Sequence, residues 1–106
     1  MNVLNELKSA RFIAILRRVP QTKIVRVAEA LSRAGIRFIE ITFDPSDPDT
    51  LQDTARKLKL VREAFPEMHL GSGTVLTEAM AETATKAGAA LMRKSLRILS
   101  WRCSMI

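Results

Sequence analysis

The chain is poor in the residues that make cross-links and metal clusters. Its 106 residues include one cysteine, Cys103, and one histidine, His69. A single cysteine excludes an internal disulfide and any cysteine-cluster metal site. His69 has no second histidine or cysteine near it, so a surface or packed histidine is the expectation rather than a metal ligand. Long apolar runs are missing too. Phe12 to Leu16 spans only five residues, against the roughly 20 of a membrane helix. The N-terminus lacks the apolar stretch of a signal peptide. These absences suit a cytoplasmic protein with no membrane partner.

Acidic residues are absent from one end. Of the 17 Lys and Arg, five lie in residues 83–106, where there is no Asp or Glu. All 11 acids lie in residues 1–82 and nearly balance the bases there, so the formal charge of +6 belongs to the tail. Charge asymmetry of this kind can mark a nucleic-acid arm. Only Trp101 interleaves Arg93, Lys94, Arg97 and Arg102, however, and no binding motif appears, which argues against nucleic acid. The length allows one small domain with one core.

Through residue 92 the pattern alternates strand and helix. Phe12 to Leu16 reads as a strand ending at Arg17. If that strand continues, Arg17 and Arg18 face opposite ways, and one of them is merely solvated. Pro20 to Ala34 reads as a helix, because Ile24, Val27, Ala28 and Leu31 recur at helical spacing, with Gly35 closing it. A second strand runs from Ile36 to Phe43. In the loop after it, Asp44, Asp47 and Asp49 favour capping over cation binding, with Asp47 as N-cap and Pro48 as first helical residue. Leu51, Ala55, Leu58, Val61 and Phe65 line the helix that follows. Met68 to Leu70 reads as a third strand entering Gly71-Ser72-Gly73-Thr74. Thr77 caps a third helix that Gly88 closes. The segment Lys86-Ala87-Gly88-Ala89 echoes Arg33-Ala34-Gly35-Ile36, which marks a repeating βα unit with parallel strands. A fourth strand is due near Ala89, but residues 93–106 read as neither a clean strand nor a clean helix. The fold class is therefore α/β: three to four βα units, about the first half of a (β/α)₈ TIM barrel, which typically needs about 250 residues.

Within the second strand one residue stands out. Glu40 lies in an otherwise apolar run, Phe38-Ile39-Glu40-Ile41-Thr42-Phe43. Alternation puts Phe38, Glu40 and Thr42 on one face and Ile39, Ile41 and Phe43 on the other. A carboxylate on a strand covered on both sides costs free energy unless it is paired, hydrogen-bonded or protonated. Such a group suits proton transfer, although a structural ion pair would also place an acid there.

Several segments, in order, resemble the 2-keto-3-deoxy-6-phosphogluconate / 4-hydroxy-2-oxoglutarate aldolase family. They are Phe12-Ile13-Ala14-Ile15-Leu16-Arg17, Ala30-Leu31, Ala34-Gly35-Ile36, Ile39-Glu40-Ile41-Thr42-Phe43, Gly71-Ser72-Gly73-Thr74-Val75-Leu76-Thr77 and Ala87-Gly88-Ala89. The resemblance implies a trimeric (β/α)₈ class I aldolase that uses a Schiff-base lysine and neither metal nor other cofactor. Such a lyase cleaves a 2-keto-3-deoxy sugar acid to pyruvate and an aldehyde. It further implies that Glu40 is the acid/base catalyst, that Thr74 and Gly73 lie at the pyruvyl group, and that Arg17 binds the anionic substrate. All three of Arg17, Glu40 and Thr74 are expected at strand C-terminal ends, where such barrels hold their sites.

The departures are specific. Asp44 stands where some members have a substrate-binding arginine, and Ser72 replaces an alanine. The resemblance ends near Arg93, before the strand that carries the Schiff-base lysine. Lys23, Lys57, Lys59, Lys86 and Lys94 do not match that lysine. The expectation is a domain at residues 1–92 followed by an out-of-family basic tail at 93–106, such as a frameshifted end of a truncated gene, and a chain inactive by itself. Two alternatives differ in class. One is a non-catalytic half-barrel that assembles with a partner; the other is a nucleic-acid-binding protein that uses the basic tail.

Overall fold

In the computed structural model, residues 12–92 are described, and strands and helices alternate along them. In chain order they are β1 (Ala14–Leu16), α1 (Gln21–Arg33), β2 (Phe38–Thr42), α2 (Thr50–Ala64), β3 (His69–Gly73), α3 (Glu78–Lys86) and β4 (Leu91–Met92). The four strands form one parallel sheet in the order β1-β2-β3-β4. Parallel neighbours need a crossover rather than a hairpin, and each crossover here contains a helix. Consecutive order with helical crossovers is the arrangement of an arc of a (β/α)₈ barrel, as the sequence predicts. The expected tail at 93–106, with Lys94, Trp101 and Cys103, lies outside the described residues. No helix among the described residues is long and apolar enough to cross a membrane.

The core lies between the sheet and its helices. Leu16, Ile39, Ile41, Phe43, Leu70 and Met92 from the sheet side join Ile24, Ala28, Leu58, Val61, Met80 and Ala84 from the helices. Burying each large apolar side chain contributes roughly 1.5–3 kcal/mol. The expected alternation holds: Ile39, Ile41 and Phe43 belong to this core cluster, whereas Phe38, Glu40 and Thr42 are buried outside it.

The repeated helix ending has a common physical form. Ile36 N–H donates to the Leu31 carbonyl and Gly35 N–H to that of Ser32, each at 3.0 Å. Ala89 N–H donates to Ala84 at 2.9 Å and Gly88 N–H to Thr85 at 3.1 Å. Both are Schellman closures, and both glycines take the left-handed backbone that the motif requires, with φ of 89° and 102°. The sequence echo is thus one stop signal used twice, each time aiming the chain back into the sheet.

At the other end of α3 the expected cap is present: Thr77 Oγ1 accepts from Met80 N–H at 3.1 Å. Thr77→Ala should destabilise the chain by about 1 kcal/mol, read as a lower urea midpoint, while Thr77→Ser should leave the midpoint nearly unchanged.

Several details differ from the sequence reading. Phe12 and Ile13 lie before β1, and Phe12 is exposed. Gly71, Ser72 and Gly73 are inside β3 rather than in a turn after it, held by pairing with Glu40, Ile41 and Thr42. The start of α2 is later than expected. Asp47 Oδ1 accepts from Asp49 N–H at 2.9 Å in a local turn, so Asp49 is the N-cap and Thr50 the first helical residue. The buried face of α2 is Thr50, Thr54, Lys57, Leu58 and Val61, with Leu51, Ala55 and Phe65 only partly buried. Threonine methyls and the lysine stem provide apolar surface that a hydrophobic-periodicity reading does not count.

Candidate active site

Glu40 is the third residue of β2 and is 5% exposed. Its lateral row in the sheet is Ile15, Glu40, Gly71 and Leu91. Laterally paired residues of a parallel sheet share a face, so Ile15 and Glu40 lie on the side away from the helix-packed core. Glu40 begins mid-strand rather than at the strand end, but its carboxyl leans toward the C-terminal edge. A Cβ placed on Gly73 would collide with Glu40 Oε1 and come within 3.0 Å of its carboxyl carbon. Gly73 pairs with Thr42, one same-face step beyond Glu40. The missing side chain at position 73 is therefore the space that the carboxyl occupies.

Thr42 completes this corner, and the sequence reading did not single it out. It is buried, its Cγ2 would lie 2.9 Å from a Cβ on Gly73, and its hydroxyl donates to the Leu16 carbonyl at 3.4 Å. The signal was available, because Thr42 shares the parity of Glu40. Ser72 points the opposite way: it is fully buried, and its hydroxyl donates to the Ile41 carbonyl at 2.9 Å. That bond satisfies the buried hydroxyl.

Thr74 follows β3 directly and is half-buried with φ of 55°. A β-branched residue in the left-handed region carries strain of order 1–3 kcal/mol, a feature that gathers at functional sites. Arg18, two residues past β1, has φ of 58°. Both positions thus lie at the C-terminal ends of strands, the edge toward which the Glu40 carboxyl leans.

Arg17 follows β1 on the same edge and is exposed. Its neighbour Arg18 makes the ion pair with Asp44, Nε to Oδ2 at 3.4 Å. The Ser46 hydroxyl and backbone N–H donate to Asp44 Oδ1 at 2.6 and 3.0 Å. These hydrogen bonds hold the Asp44 carboxyl below its ordinary value, and the charges of Arg18 and Arg17 act in the same direction. Asp44 thus meets a cation from the preceding βα loop.

Between those two loops lies an open cavity of about 360 Å³, lined in part by Arg18, Thr42, Asp44 and Lys57. Lys57 is 8% exposed at its side chain, and its Nζ lies 2.7 Å from Asp53 Oδ2. Gln21 Nε2 donates to the other Asp53 oxygen at 2.8 Å. Desolvation raises the Asp53 pKa, but the bonds from Lys57 and Gln21 outweigh it and hold the carboxyl below the ordinary 3.8. A carboxylate lowered on folding stabilises the fold above its unfolded pKa, and the contribution is lost as pH falls through the folded value. The stability difference between the chain and its Asp53→Asn variant should therefore be constant above about pH 5 and shrink below pH 3.8, as read by urea midpoints across that range.

His69 lies on the inner face with its ring stacked on Phe38, centroids 4.7 Å apart and planes at 22°. It is a packed histidine, in line with the sequence reading. Among the described residues, no three His, Cys, Asp or Glu side chains gather so as to hold a metal.

A parallel sheet crossed by helices, with a carboxyl leaning to its C-terminal edge, has the form of a partial (β/α)₈-barrel enzyme. The chain belongs to the KDPG and KHG aldolase family, whose family model matches residues 3–94. The 2-keto-3-deoxy-6-phosphogluconate aldolase of Zymomonas mobilis is similar in structure, with a TM-score of 0.62 and 27% identity over 77% of this chain and 36% of that one. The KDPG aldolase of Legionella pneumophila, crystallised with pyruvate captured as a covalent carbinolamine intermediate, gives 0.63 and 27% over 77% and 37%. A mandelate racemase/muconate lactonizing enzyme from Roseiflexus sp. gives 0.63 at 15% identity, over 77% of this chain and 26% of its own, a likeness of fold alone. The chain spans little more than a third of the length of the two aldolases.

Proposed function

We propose that this chain carries the acid/base part of an aldolase site for a 2-keto-3-deoxy sugar acid. In the full reaction a lysine amine condenses with the substrate ketone, and the resulting iminium accepts the electrons of the broken carbon–carbon bond. Glu40 would move the protons of carbinolamine formation, bond cleavage and enamine protonation. Thr74 and Gly73 would hold the pyruvyl carboxylate, and Arg17 would attract the anionic substrate. The observation that carries this reading is the Glu40 carboxyl seated over Gly73 and leaning to the edge where Thr74 begins. The pyruvate adduct of the Legionella aldolase supports pyruvate as the product end.

The resemblance places the Schiff-base lysine on a later strand, and none of Lys23, Lys57, Lys59, Lys86 or Lys94 matches it. The 106-residue chain by itself is therefore proposed to bind pyruvate weakly and to form no Schiff base. Borohydride added with pyruvate should leave its intact mass unchanged, and a stoichiometric adduct on one lysine would sink the proposal. Pyruvate should still shift the amide resonances of Gly73 and Thr74, and Glu40→Gln should weaken that response. Residues 93–106 are proposed to be out-of-family sequence; an intact downstream frame encoding the remaining strands would support this.

A further inference from the structure

Thr42 ends β2 two residues after Glu40 and on the same face, away from the helix-packed core. It is 5% exposed, and the two arms of its β-branch have different neighbours. The hydroxyl donates to the carbonyl of Leu16, the last residue of β1, at 3.4 Å. The methyl carbon, Cγ2, lies 2.9 Å from the point where a Cβ on Gly73 would stand, and the Glu40 carboxyl carbon lies 3.0 Å from that same point. Methyl and carboxyl thus border one slot over Gly73. The hydroxyl bond is long and weak by itself, but it decides which arm points where. A buried hydroxyl without a partner costs free energy, so the arm that reaches Leu16 is the polar one and the arm left to the slot is the methyl. The opposite arrangement would set a donor beside the carboxyl and tie an oxygen to the protein. Thr42 also lines the open cavity between the first two βα loops, so one residue borders both spaces.

We propose that Thr42 is a positioning residue for Glu40. Anchored through its hydroxyl to the end of β1, it holds a methyl wall against the slot and keeps the carboxyl turned to the C-terminal edge. Glycine at position 73 makes the space, and Thr42 limits the directions that the carboxyl can take within it. A glutamate reaches its carboxyl through three torsions, so a working direction has to be imposed by what surrounds it. A methyl suits that task because it neither donates nor accepts a proton. It confines the carboxyl without engaging an oxygen that a substrate would use. Thr42 acts on the reaction only through Glu40. The effect on pyruvate rests on the function proposed above, whereas the wall rests on the register of β2 with β3 and on the bond to Leu16.

The test compares two variants of the 106-residue chain. Thr42→Ala removes wall and anchor together, and Thr42→Val restores a methyl wall without the hydroxyl. Three-bond NMR couplings across χ1 and χ2 of Glu40 should show one rotamer in the unmodified chain and in Thr42→Val, and rotamer averaging in folded Thr42→Ala. In the same samples pyruvate should bind Thr42→Ala roughly fivefold more weakly, the worth of one modest hydrogen bond. Thr42→Val should stay within about twofold of the unmodified chain. A folded Thr42→Ala that keeps one Glu40 rotamer overturns the proposal, whatever its stability, because a merely structural threonine would behave so. Averaging in Thr42→Val overturns it too. So does averaging in the unmodified chain, a measurement that stands even if Thr42→Ala does not fold. Couplings that respond as expected while pyruvate moves no amide in any of the three chains support the positioning role and count against the proposed function instead.

Discussion

Gly73→Ala should destabilise the chain by about 1–3 kcal/mol and displace the Glu40 carboxyl. The added methyl would collide with Glu40 Oε1 and lie 2.9 Å from Thr42 Cγ2. Two effects compete. Replacing glycine restricts the unfolded chain and stabilises by about 0.4–1 kcal/mol. The steric term is larger here, because Thr42 is short and buried and cannot withdraw, and Glu40 at 5% exposure has little free volume to enter. The decisive experiment is a double-mutant cycle in urea. Glu40→Ala removes the atoms that the new methyl would strike, so Glu40→Ala/Gly73→Ala should be less destabilised than the two single changes summed. A coupling of about 0.5–3 kcal/mol is expected for groups in contact. Simple additivity would mean that the carboxyl does not lie over position 73.

Phe43→Ala should cost about 3–5 kcal/mol. Phe43 is 1% exposed and is the largest of the fully buried side chains among the described residues. It adjoins Thr42 in sequence but faces the helices with Ile39 and Ile41. A domain of this size has about 5–15 kcal/mol in all, so this one truncation would remove much of the chain's stability and lower the thermal midpoint by tens of degrees. Phe43→Leu, which keeps most of the apolar volume, should cost far less. A small effect of Phe43→Ala would reverse the assignment of faces on β2 and with it the inward direction of Glu40.

Much of the architecture was legible because its signals are local. The alternation along Phe38 to Phe43 assigned the faces, since period two is a property of any extended strand. The Ala-Gly pairs at 34–35 and 87–88 marked both helix ends, because a Schellman closure uses only bonds within six residues. Thr77 announced its cap in the same way. Helix α2 was read less well. Its N-cap depended on whether the Asp47 side chain bonded within the loop, and its buried face included Thr54 and Lys57, whose burial depends on the sheet beneath them. The extent of β3 was also nonlocal: Gly71-Ser72-Gly73 has the composition of a turn and is strand because β2 holds it in register.

The sequence alone determined that a carboxylate shares one face of the second parallel strand with Phe38 and Thr42, because alternation and βα repetition are written in short-range spacing. Only the tertiary structure decided where that carboxyl goes. The register that sets Thr42 beside Gly73 joins residues 31 positions apart, and no local pattern reports it. That register puts an absent side chain next to Glu40, so the space for the carboxyl is made by one strand and filled from its neighbour.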